Sequence, residues 1–264
     1  MGNHVMSKNV IFTRRPDAQP LSNDEIYSLA PSVFAGDKAA HLTDRYGQVT
    51  TGQAIGVLAD FGYYPVQAAQ VGRGRHAKHM LAFADIVPTP LADMSNGRPE
   101  LILYNSHDGT SALKLFAGFF RFICSNGIVA GDGFKSRMLH NTSTVHNFET
   151  LITSTAARLY DLQDSIDRMR SKTMAPGDAL EFVKVGAHFR WKEERVTDRT
   201  IKDIMTPRRF GDDSTDVWSV YNRLQESLIR GGVRVGPEDR KARAISSIQQ
   251  NLRINQELWD LAAA

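Results

Sequence analysis

The run from Leu101 to Asp132, LILYNSHDGTSALKLFAGFFRFICSNGIVAGD, limits what this 264-residue chain can fold into more than any other stretch. It is the densest apolar segment, yet a polar turn interrupts it and an arginine sits inside it. Leu101–Tyr104 reads as a short strand, bounded by Asn96-Gly97-Arg98-Pro99 before it and by Asn105 to Thr110 after it. Asp108-Gly109 favours a reversal, because glycine tolerates the positive φ of tight turns. Ala112–Phe116 then returns as an antiparallel partner. Beyond Phe116 two readings stay open. Leu113, Ala117, Phe120 and Cys124 share a helical face, whereas a central strand is apolar on both faces. The pattern favours a strand to about Phe116, then a buried helix or extended segment ending at Asn126-Gly127. Arg121, among phenylalanines, needs a partner either way, since an unpaired buried charge is strongly unfavourable. An ion pair, an aromatic face or a ligand would serve.

On either side of this stretch the pattern is mostly helical. Ser22-x-x-Glu25 is a capping box opening a helix with Ile26, Leu29 and Val33 on one face, ended by Phe34-Ala35-Gly36-Asp37. Thr50 or Thr51 caps a second helix, which Gly62 is placed to end. Strands follow from Tyr63 to about Val71 and from Met80 to Val87. A long helix from Ser143 or Thr144 to Lys172 carries Phe148, Leu151, Ile152, Leu159, Leu162 and Ile166 at 3.6-residue spacing. A further helix spans Pro176–Phe189. Ser214 heads another, stopped at Gly231-Gly232, and Arg230, Arg234, Arg240, Lys241 and Arg243 are expected in a mobile loop before the last helix. Helices segregated from antiparallel strands give an α+β class, with a sheet of about four strands. The division expected is residues 1–140 as the α+β core and 141–264 as a mainly helical region packed on or extending it.

Composition narrows the functional classes. A content of 42% hydrophobic and 23% charged residues is that of an ordinary globular protein. The single cysteine, Cys124, excludes an intramolecular disulfide framework and a cysteine-based zinc cluster. It fits a reducing cytosol and reads as a small buried hydrophobe. No apolar run reaches membrane-span length and the N-terminus lacks a signal-peptide pattern. The expected location is therefore cytoplasmic, with no membrane partner. The net charge of +3 is mild, so clustering matters more than the total.

The basic clusters are few. Gly72-Arg73-Gly74-Arg75-His76-Ala77-Lys78-His79 sits between two strands, where a cationic turn can contact phosphate or simply be solvated. His76-x-x-His79 lacks a third metal ligand. Lys135 and Arg137 fall in Phe134–Met138, and Arg208 and Arg209 end a basic region. Ser106-His107-Asp108 holds triad residue types, but sequence neighbours cannot form a relay, so it reads as a turn. Gly131-Asp132-Gly133 lacks a phosphate-loop fingerprint. The other carboxylates are dispersed, mostly on helix surfaces where i,i+4 pairing explains them. Nothing calls for a catalytic centre, a metal or a cofactor.

Several segments together resemble the phage- and plasmid-like proteins, a domain-of-unknown-function family of enteric prophages. They are Pro20–Glu25, Pro31–Lys38, Lys78–Leu81, Leu103–Gly109, Phe120–Gly127, Thr206–Arg209, Arg253-Ile254-Asn255 and Leu258-Trp259. Within them Asn105, His107, Asp108, Arg121, Cys124 and Asn126 are the motif residues carried here. The resemblance implies a mobile-element context, near anti-restriction and DNA-repair-like genes, and carries over no catalytic residue. The order of helix, antiparallel strands with a basic hairpin and long helix is similar to the core of phage single-strand annealing proteins. This fold-level analogy implies single-stranded DNA as partner and assembly into homo-oligomers. The expected contacts are Arg73, Arg75, Lys78, Lys135 and Arg137, then Arg208 and Arg209, in a basic groove with nearby aromatics. The competing expectation is an anti-defence protein that binds and inhibits a host protein. A metal-free enzyme is the third.

Overall fold

The structure is a computed structural model that describes residues 19–36, 39–40, 50–85, 97–121, 126–130, 135–138 and 145–264. It is α+β, as the sequence predicts. Helix α1 (Asn23–Leu29) opens with the Ser22–Glu25 capping box. It stops earlier than expected, because the residue before Pro31 is disfavoured in helical geometry, and the chain continues as a 3-10 turn over Pro31–Phe34. The change of register buries Ile26, Ala30 and Val33 but leaves Leu29 exposed, against the expectation for Leu29. Helix α2 (Thr51–Asp60) is capped by Thr50, again through a capping box with Gln53, and Gly62 follows it at positive φ.

Six antiparallel strands then build one sheet in the order β1-β2-β3-β4-β5, with β6 also on β4. They are β1 (Tyr63–Gln70), β2 (His79–Asp85), β3 (Gly97–Asn105), β4 (Leu113–Arg121), β5 (Asn126–Val129) and β6 (Lys135–Met138). Sequence reasoning found the first four. The two short strands share the outer edge of β4 end to end, with Gly118–Arg121 pairing β5 and Leu113–Phe116 pairing β6. β4 also settles the open alternative. The chain stays extended through Arg121, and its helix-like spacing arose because both faces of a central strand are buried. Gly118 is required there: a Cβ would lie 2.6 Å from Ile102 Cδ1 and 2.8 Å from the Ile128 carbonyl.

The rest of the chain is helical: α3 (Val145–Ser171), α4 (Pro176–His188), α5 (Asp198–Met205), α6 (Val217–Arg230) and α7 (Ile248–Ala263). Asp216, rather than Ser214, caps α6 by accepting from the Ser219 amide at 2.8 Å. Every residue of α6 from Val217 to Ile229 is buried, as for a helix with core on all sides. The Arg-rich segment after it is not the mobile loop expected. β7 (Arg234–Val235) pairs with β8 (Arg240–Lys241), and the Gly232 amide donates to Ala242 O at 2.8 Å.

Alternation along the strands divides the buried side chains between two clusters. On one face Leu81, Phe83, Leu101, Leu103, Leu115 and Phe119 join α3, α4 and α6 in the main core, which runs from Ile26 to Trp259. On the other, Met80, Ala82, Ile102, Tyr104 and Phe116 meet Ile248 and Leu252 of α7. Among the described residues no helix is long and apolar enough to cross a membrane.

Candidate nucleic-acid interface

The meander brings the β1–β2 turn (71–78) and the β3–β4 turn (106–112) to the same end of the sheet. They are tied directly, by the His107 amide donating to His76 O at 3.3 Å. Beneath them the core-facing positions of three strands become polar. Gln70, His79 and Asn105 are register neighbours across β1, β2 and β3, where Leu81 and Leu103 two residues further on are apolar. The start of α2 and the 3-10 turn cover this row.

The row forms a buried hydrogen-bond network. His79 Nδ1 lies 2.9 Å from Ala77 O and 3.0 Å from Ser32 Oγ, and its Nε2 lies 2.7 Å from Thr51 Oγ1. Burial pushes the His79 pKa down to about 4, against the opposing effects of the Ala77 carbonyl and Asp108, so the ring is neutral at pH 7. The carbonyl fixes the proton on Nδ1, which leaves Nε2 to accept from the Thr51 hydroxyl. Thr51 Oγ1 in turn accepts from Asn105 Nδ2 at 3.1 Å, and His107 Nε2 stands 3.4 Å away. Gln70 links the same network to both flanking segments. Its Oε1 accepts from the Ser32 amide at 2.9 Å and its Nε2 donates to Gly72 O at 2.9 Å.

The chemistry of this network is that of a clamp. Ser32, Thr51, His79, Asn105 and His107 are fully buried, which denies a substrate access to any of them. Ser106-His107-Asp108 is a turn, as expected. Ser106 Oγ accepts from the Ser111 amide, and Asp108 Oδ1 accepts from the amide and hydroxyl of Thr110. Burial acts to raise the Asp108 pKa, but the Thr110 and Ser106 hydrogen bonds and Lys78 outweigh it and hold it below the usual range.

Above the clamp, Arg73 and Arg75 are exposed and Lys78 is half-buried. On the sheet, Tyr104 is the register partner of Lys114, and Lys114 that of Arg137. Phe116 is likewise the partner of Lys135. Lys114 Nζ sits 5.9 Å from the Tyr104 ring centroid. Of Lys135, Arg137 and Asn126 only the backbone is described, while Cys124 lies outside the described residues. The structure thus gathers Arg73, Arg75, Lys78 and the Arg137 position at one end of the sheet.

It does not bring Arg208 and Arg209 to them. Both precede Asp212, which pairs with Arg121 at the far end of β4, a strand about 26 Å long at a rise of about 3.3 Å per residue. Arg208 Nη1 donates to Gly231 O at 2.8 Å, and Arg209 pairs with buried Glu226. Arg121 finds the partner it needs in Asp212: the two make a bidentate ion pair at 3% and 1% exposure. The neighbouring Arg98 pairs with Glu100 at 3.0 Å and lies over the Phe120 ring.

Residues that sequence reasoning missed include Ser32, Thr51 and Gln70. Their only signal was a polar residue at a core-facing strand or helix-start position. The aromatic residues Tyr27 and Phe34 were missed too. They are 61% and 36% exposed, and their ring centroids are 6.3 Å apart.

Comparison with known proteins gives a family. Residues 39–259 match DUF932, a domain of unknown function. The UPF0380 protein YafZ of Escherichia coli (strain K12) is 32% identical over 257 residues, covering 93% of this chain and 92% of its own. The UPF0380 protein YfjQ of the same organism is 31% identical over 255 residues, covering 92% and 91%. No solved structure matches the chain significantly. The span of the match and these identities establish that the chain belongs to the DUF932 family.

Proposed function

We propose that this protein binds single-stranded DNA at the end of the sheet where the two turns meet, and that it serves strand annealing or protection on a mobile element. One observation carries the reading: exposed Arg73 and Arg75 project with Lys78 from a turn that a buried network and the His107–His76 bond hold in place. A cationic turn held in shape contacts phosphate without first being ordered, and phosphate contact supplies most non-specific affinity. The test is fluorescence anisotropy of labelled single-stranded and duplex DNA at low and then moderate salt. Wild type is expected to bind single strands with an affinity that falls steeply with salt. Arg73→Ala/Arg75→Ala/Lys78→Ala is expected to bind at least about tenfold more weakly and to lower the log–log salt slope by about 2, at ~0.7 per cation removed. Absence of binding by wild type at low salt would overturn the reading.

A second reading, a protein that binds and inhibits a host protein, draws on Phe210. This side chain is 98% exposed at the tip of a tight turn in which Gly211 takes φ 85° and the Asp212 amide donates to Arg209 O. Ion pairs at Arg209 and Asp212 hold both ends of that turn, and an exposed aromatic on a turn so held is a typical anchor of protein interfaces.

A further inference from the structure

Two kinds of surface that single-stranded nucleic acid requires are carried by neighbouring segments of this protein, and one side chain fastens the segments together. Gln70 receives the Ser32 amide from the 3-10 turn on its carbonyl oxygen. Through its amide nitrogen it holds the carbonyl of Gly72, the residue before Arg73. Ser32 is fixed a second time by its hydroxyl against His79. The 3-10 turn therefore cannot drift relative to the cationic turn. That 3-10 turn and the helix before it carry Tyr27 and Phe34, two exposed rings in mutual contact, with Leu29 exposed between them in sequence.

Exposed aromatic residues scattered singly need no explanation, whereas a contiguous group on a rigid support does. Ile26, Ala30 and Val33 already satisfy the core here, so Tyr27 and Phe34 are surplus to folding. From these observations, and resting on the reading of the cationic turn above, we infer that Tyr27 and Phe34 form a base-stacking shelf. It sets the protein's preference for single strands over duplex. The occupant follows from charge and shape. Cations beside the shelf select a polyanion, and only an unpaired strand can offer the faces of its bases to the rings while its phosphates meet Arg73, Arg75 and Lys78. A duplex keeps its base faces stacked inside and reaches the cations alone.

The test separates the shelf from the cations. Tyr27→Ala/Phe34→Ala and the aromatic-retaining Tyr27→Trp/Phe34→Trp are titrated with single-stranded and duplex DNA across a salt series. One further series uses a single strand carrying 2-aminopurine. Tyr160→Ala removes a ring of similar exposure (58%) on α3, beside Tyr63 at the opposite end of β1, and serves as control. Both rings are exposed, so the alanine variant is expected to fold as wild type by circular dichroism. Its single-strand affinity is expected to fall about tenfold at every salt concentration with the slope unchanged. Duplex affinity is expected to stay put, the 2-aminopurine signal of wild type to vanish, and the tryptophan variant to keep both affinity and signal. Unchanged single-strand affinity and signal in the alanine variant would overturn the shelf and leave the cationic reading standing. An equal loss on duplex would overturn it too. Failure of wild type to bind either DNA removes both readings together.

Discussion

Replacing Arg121 by methionine is expected to lower the free energy of unfolding by about 3–5 kcal/mol. The guanidinium and the Asp212 carboxylate are both nearly inaccessible to solvent and meet in a bidentate pair. Removing one partner leaves the other charge without compensation in a medium that solvates it poorly. Asp212→Leu is expected to be destabilising for the same reason, since it strands the Arg121 charge. Arg223 sits close enough to Asp212 to feel its charge, which places Arg121→Met toward the lower end of the range. The double variant Arg121→Met/Asp212→Leu is expected to recover most of the loss, because an apolar pair of similar volume needs no charge compensation. Urea unfolding of the four proteins gives the coupling energy directly. A loss below about 1 kcal/mol in both single variants would show that the pair contributes nothing beyond its geometry.

The second large effect is on acid stability. His79 titrates near 4 in the folded protein and near 6.5 when unfolded. The folded state therefore binds this proton less readily, and the contribution is complete above pH 6.5. It declines as pH falls from 6.5 towards 4 and does not change further below that. At about 1.4 kcal/mol for each tenfold difference in proton affinity, the loss across this window is about 3 kcal/mol. Asp108 acts in a separate window. Its pKa lies below the ordinary 3.8, so its contribution is present above that value and lost only in stronger acid. The measurement is the urea midpoint at pH 7.5, 5.5 and 4.5 for wild type and His79→Gln. The variant is expected to be less stable at pH 7.5, where it lacks the Nδ1–Ala77 bond, and to show a flatter profile down to pH 4.5. A wild-type slope retained in the variant would assign the acid sensitivity to another group.

Local chemistry explains how much of this was legible. Capping boxes at Ser22 and Thr50 are decided within four residues; the first is read directly from Ser22-x-x-Glu25, while the sequence narrows the second only to Thr50 or Thr51. Antiparallel neighbours joined by turns are legible too, as Asp108-Gly109 shows. Leu29 misled because a helical face was extended past a break that Pro31 imposes. The segment after Phe116 stayed ambiguous because a strand buried on both faces has no period to read.

At the site, the Gly72–Lys78 turn announced itself through its glycines and cations. The clamp below it draws on five separate segments, and no spacing connects Ser32, Thr51, Gln70, His79 and Asn105. The need of Arg121 for a partner was legible from its apolar neighbours, but Asp212 stands 91 residues later. Arg208 and Arg209 looked equivalent to Arg73 and Arg75 as charges. Their carbonyl and carboxylate partners, supplied by α6 and its C-terminal end, set them apart.

Helix α7 comes after the sheet and the other described helices, yet it contributes to both apolar clusters. Ile254, Leu258 and Trp259 enter the main core, while Ile248 and Leu252 enter the cluster on the other face of the sheet. During synthesis the sheet and the helices before α7 leave the ribosome first. Both faces then lack part of their cover until the residues after 248 emerge. A nascent chain paused before that point presents greasy surface on two sides of a finished meander, the form most open to wrong partners and to holding by chaperones. Completion of this fold therefore waits on α7, however early the strands pair.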